Sequence, residues 1–74
     1  MLLNLYDQKG ILIKSVNMDA QDITIFLNKL FMGLKYSKTN VNIAIKNVLQ
    51  EIKDCGNVII RNPAINTKIE IIGD

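Results

Sequence analysis

The spacing of apolar residues changes twice along the chain, from a period of two to a helical period and back, and polar breaks inside each stretch separate its elements. In residues 1–16, Leu3 and Leu5 alternate with Leu2, Asn4 and Tyr6, and after Asp7-Gln8-Lys9-Gly10 the residues Ile11, Ile13 and Ser15 alternate with Leu12, Lys14 and Val16. A period of two on either side of four turn-forming residues predicts a β-hairpin, with Gly10 free to take the positive φ that such a turn needs. The period then lengthens. Projected at 100° per residue, Ile23, Phe26, Leu27, Leu30, Phe31 and Leu34 share one face, which predicts a helix through about Tyr36. Asn17 or Asp19 is placed to cap it, and Asp19 and Asp22 lie at its positive N-terminal end. Ser37 to Asn40 form a polar break in which Thr39 or Asn40 can cap a second helix, whose stripe is Val41, Ala44, Ile45, Val48, Leu49 and Ile52. That helix runs to about Cys55, where Gly56 fits the left-handed stop. Alternation returns with Val58 and Ile60, and again with Ile69 and Ile71, around the segment Arg61-Asn62-Pro63-Ala64-Ile65-Asn66. Pro63 lacks an amide proton and constrains Asn62 to an extended or turn conformation, so it belongs at a tip rather than in a ladder.

The expected order is ββααββ: an α+β fold in which two hairpins merge into one four-stranded antiparallel sheet with the helical pair on one face. A second architecture exchanges a hairpin between two chains, since open sheet edges can pair across a two-fold axis.

Composition narrows the function classes. The 74 residues make one small domain, 1–74, and such a chain buries only about 60% of the surface its unfolded form exposes, so reinforcement is to be sought. Cys55 is the single cysteine and histidine is absent, which excludes a disulfide framework and argues against a zinc site. With 49% of residues apolar and 22% charged, self-association is the expected reinforcement. The stretch MLLNLYDQKG has no basic region, apolar run or cleavage site of a signal peptide, and no stretch reaches the roughly 18 consecutive apolar residues of a membrane span. A cytoplasmic protein is the expectation, with no membrane contact.

Catalytic chemistry is poorly supplied. The usual neutral-pH base is missing, Cys55 has no base or cation beside it on its helix face, and Asp7, Asp19, Asp22, Glu51, Asp54, Glu70 and Asp74 show no metal-loop spacing. The glycines form no phosphate loop, so no enzyme and no cofactor are expected. Three surface features remain. Ile25, Met32 and Tyr36 project opposite the first helix's core stripe and make a candidate oligomer seam, most simply a homodimer. Lys35, Lys38 and Lys46, with Lys29, surround the interhelical break without an acid among them, a candidate phosphate-binding patch for nucleic acid or nucleotide, with Tyr36 placed to stack on a base. Solvated helix lysines are the plain alternative. Arg61, Asn62, Pro63 and Ile65 form a candidate partner-binding tip, set against an ordinary turn in which Ile65 starts the last strand. The leading expectation is a small non-enzymatic homo-oligomeric protein-binding module, such as an inhibitor, adaptor or assembly component of phage or plasmid type. The alternative is a nucleotide or nucleic-acid binder.

Overall fold

The computed structural model describes residues 1–62 and 67–74, and of Asn62 the backbone alone. Strands β1 (Leu2–Tyr6) and β2 (Leu12–Asn17), helices α1 (Ala20–Gly33) and α2 (Lys38–Cys55), and strands β3 (Asn57–Asn62) and β4 (Thr67–Ile72) follow in that order. The strands form one antiparallel sheet in the order β2-β1-β4-β3, so the two hairpins do merge as the alternation predicts, and the fold is α+β. The first and last strands pair in the middle and leave β2 and β3 as edges.

Each local signal has a visible cause. In the first turn the Gly10 amide donates to the Asp7 carbonyl, while the Asp7 carboxylate accepts from the amides of Lys9 and Ile11 at 2.8 and 2.9 Å. Asp19 is the α1 cap, accepting from the Asp22 amide at 2.8 Å. The α2 cap is Ser37, accepting from the Asn40 amide at 3.2 Å, rather than Thr39 or Asn40. Gly56 ends α2 at φ 87°, with its amide on the Ile52 carbonyl.

The predicted end of α1 at Tyr36 is corrected to Gly33. Lys35 sits in the left-handed region at φ 64°, its amide reaches back to Met32, and the Tyr36 amide reaches the Phe31 carbonyl at 3.3 Å. This pair of backward bonds is a Schellman stop, normally built on glycine. The apolar contact that accompanies such a stop is also present, as the Tyr36 ring stacks on Phe31 with centroids 5.5 Å apart.

The core lies between the helices and one sheet face. Leu3, Val58, Ile69 and Ile71 from the strands meet Ile23, Leu27 and Phe31 of α1 and Val41, Ile45 and Ile52 of α2. Strand side chains alternate between faces, so the open face carries Asn4, Tyr6, Lys68, Glu70, Ile59 and Arg61. There Ser15 Oγ donates to Asn4 Oδ1 at 2.6 Å, Asn4 Nδ2 and the Tyr6 hydroxyl donate to Glu70 Oε1 at 3.4 and 3.3 Å, and Lys68 Nζ stands 4.3 Å from the centre of the Tyr6 ring. That row joins β2, β1 and β4 by side chains as well as by backbone. Partial burial, the charge of Glu70 and the hydrogen bond given to it all push the Tyr6 hydroxyl above its usual 10.0.

Candidate functional site

The two edge strands are built differently. In β2 the register slips opposite Leu5 and Tyr6, whose partners are Lys14 and Leu12, so Ile13 is an extra residue, a β-bulge. The bulge separates Ile13 from its ladder position, and it joins Leu5, Phe26, Leu30 and Ile69 around an open apolar hollow of about 260 Å³. Tyr6, Thr67 and Lys68 complete the rim. Ile11, Leu12 and Ile13 are exposed in a row, Ile13 at 65%. Lys14, opposite the core-facing Leu5, puts a charge on the helix side of this edge.

β3 has neither device. Its register against β4 is unbroken from Asn57↔Ile72 to Asn62↔Thr67, its core-facing residues are Val58 and Ile60, and α2 lies over it. Ile59 faces the open side and is 50% exposed.

Sequence-predicted sites fall unevenly on this frame. Ile25 and Met32 are exposed on the outer side of α1, as projected. Tyr36 lies beyond the helix end, stacked on Phe31, so the three residues do not form one helical stripe. Lys35 is exposed within the α1–α2 connection, Lys38 at the first residue of α2 and Lys46 further along α2. One face of Tyr36 is already taken by Phe31, which leaves at most the other for a base. Arg61 is exposed near the end of β3, and Asn62 ends that strand. Pro63 and Ile65 lie outside the described residues. Cys55, the last residue of α2, is an exposed thiol. Among the described residues no group of three His, Cys, Asp or Glu side chains is arranged to hold a metal ion, and no helix is long and apolar enough to cross a membrane.

Among the described residues, sequence reading missed five exposed apolar positions, Ile11, Leu12, Ile13, Ile43 and Ile59. One signal was available: a run such as Ile11-Leu12-Ile13 cannot point all its side chains at one core from a regular strand.

Fold and surface together define a small open-faced α+β sheet protein with one bulged and one regular edge. No family model, curated protein or solved structure matches the chain.

Proposed function

We propose that the chain is a small non-enzymatic protein-binding module that works as a homo-oligomer in the cytoplasm, of the inhibitor, adaptor or assembly-component kind. The observation that carries this reading is the β2 corner, where Ile11, Leu12 and Ile13 stand exposed beside the hollow formed by Leu5, Phe26, Leu30 and Ile69. Apolar side chains next to an unfilled apolar hollow favour a protein surface that inserts its own. Tyr6, Thr67 and Lys68 at the rim would supply polar groups to orient that surface. An exposed free thiol at Cys55 suits a reducing compartment.

The rival reading, nucleotide or nucleic-acid binding through Lys35, Tyr36, Lys38 and Lys46, draws on one observation: the first turn of α2 has no acidic residue. Affinity purification at moderate salt, with light scattering and absorbance at 260 and 280 nm on the eluted peak, separates the two. The protein-binding reading expects an oligomer with a stoichiometric protein partner that is lost in Ile13→Glu. A peak rich in nucleic acid, released by salt and by neutralising Lys35 and Lys38, would replace that reading with the rival.

A further inference from the structure

We infer that β3 is a self-pairing edge: two copies join β3 to β3, antiparallel about a two-fold axis through Ile59, and fuse their four-stranded sheets into one. This rests on the homo-oligomeric reading above and names the surface that would perform it.

The phase of the hydrogen bonds fixes which groups are free. The Gly73 amide donates to the Gly56 carbonyl at 2.7 Å, in the same register as the β3–β4 ladder. In an antiparallel ladder, groups that face one neighbour alternate with groups that face the other. Val58, Ile60 and Asn62 therefore turn their backbone towards β4, while Asn57, Ile59 and Arg61 turn their N–H and C=O groups outward. The other side of the sheet agrees: Met18 donates to the Met1 carbonyl at 2.8 Å, which sets Lys14 and Val16 towards β1 and leaves Ser15 and Asn17 outward on β2.

With Asn57, Ile59 and Arg61 outward, one register is self-complementary. Ile59 meets the second copy's Ile59, Asn57 meets its Arg61 and Val58 meets its Ile60. Every apolar residue then faces an apolar one, and arginine faces a neutral amide. The two Arg61 side chains lie roughly 13 Å apart along the strands. Sliding the pairing by two residues either way puts Ile59 opposite Arg61 or Asn57 and loses the match. The chosen register forms three doubly bonded pairs, about six hydrogen bonds.

Room for the second copy's helix is provided on the same face. Leu49 and Lys53 of α2 line a hollow with Met1 and Ala20, which marks the flank turned towards α1. At 100° per residue, Ala44, Val48, Glu51 and Cys55 fall on the flank turned the other way, over β3, where Ala44 and Cys55 at the middle of the flank leave room for two helices to approach. An isologous contact of this kind closes on itself as a dimer. β2 offers no such match, because the bulge at Ile13 breaks its line and Lys14 faces the helix side, two devices that keep an edge from pairing.

The test is the native mass of the wild-type chain and of Ile59→Lys across a concentration series, with circular dichroism to confirm that both are folded. A second variant pair, Cys55→Ser with Ile59→Cys, is oxidised and run on a non-reducing gel. The expected results are a wild-type dimer, a dissociation constant at least about tenfold weaker in Ile59→Lys because two lysines then oppose each other, and a covalent dimer through Cys at position 59. A wild-type monomer at the highest soluble concentration would overturn both this inference and the homo-oligomeric reading. An oligomer that Ile59→Lys leaves intact and that Cys at position 59 does not cross-link would overturn this inference alone. Loss of a foreign protein in Ile59→Lys, from a chain that is itself monomeric, would assign the edge to another occupant and overturn it as well.

Discussion

The two edges of this sheet face the same problem with opposite equipment. β2 is kinked by a bulge and carries Lys14 on its inner side, while β3 is unbroken, roofed by α2 and lined inward by Val58 and Ile60. An edge strand is a row of unpaired donors and acceptors, and proteins blunt it by bulges and inward charge when no partner is wanted. The blunted edge here carries Ile13 to the side, to the rim of the hollow beside α1. The regular edge keeps its row intact. The contrast assigns different work to the two ends of the sheet: side-chain docking at β2 and backbone pairing at β3.

Exchanging their equipment should break the contrast. Ile60→Lys gives β3 the inward charge of β2; it removes a half-buried side chain from the core margin and should cost about 1–2 kcal/mol in urea denaturation, with loss of the dimer. The reciprocal Lys14→Ile should leave the stability of the monomer within about 0.5 kcal/mol and yet add association through β2, read as species larger than a dimer by light scattering. If Lys14→Ile stays dimeric, the bulge alone protects β2.

A change remote from both edges serves as the control. Lys35→Gly relieves a left-handed backbone that costs a side-chain-bearing residue about 1 kcal/mol, so it should stabilise the fold by about that amount without changing the native mass. A change in mass would mean that the α1–α2 connection, not the sheet edge, governs association.

The smallest expected effect concerns the side-chain row that ties β2 to the rest of the sheet. The Tyr6 hydroxyl is raised above 10.0 by partial burial, by the Glu70 charge and by its hydrogen bond to Glu70. A raised acid binds its proton more tightly in the folded chain than in the unfolded one, so its contribution is complete below pH 10 and declines as the pH rises through the folded-state value. Thermal unfolding of the wild type should show an added loss of stability above pH 10. Tyr6→Phe should lack that component, and an identical alkaline slope in both chains would detach Tyr6 from the sheet's stability.

Much of this architecture was legible because period-two and period-3.6 stretches are separated by residues with one plain job: Asp7 and Gly10 in the turn, Asp19 at the cap, Gly56 at the stop. The end of α1 was not legible, since its left-handed position is filled by Lys35 rather than glycine, and the stop is held by the Phe31–Tyr36 stack, which spacing alone does not show. The same misplacement drew Tyr36 into a seam with Ile25 and Met32. The bulge escaped notice for a related reason: alternation in Ile11–Val16 reads the same with or without one extra residue, and only pairing against Leu5 and Tyr6 shows that Ile13 has no partner. Strand order was also beyond the pattern, because either hairpin strand can be the outer one. That order is what left β3 at an edge and gave Ile59 its significance.

Amide hydrogen exchange followed residue by residue, at high and at low protein concentration, tests the contrast between the edges most directly. The amides of Asn57, Ile59 and Arg61 should be protected when the protein is concentrated and should lose that protection on dilution, while Ser15 and Asn17 exchange quickly throughout. Protection that appears at Ser15 and Asn17 instead, or at neither edge, would contradict the assignment of self-pairing to β3.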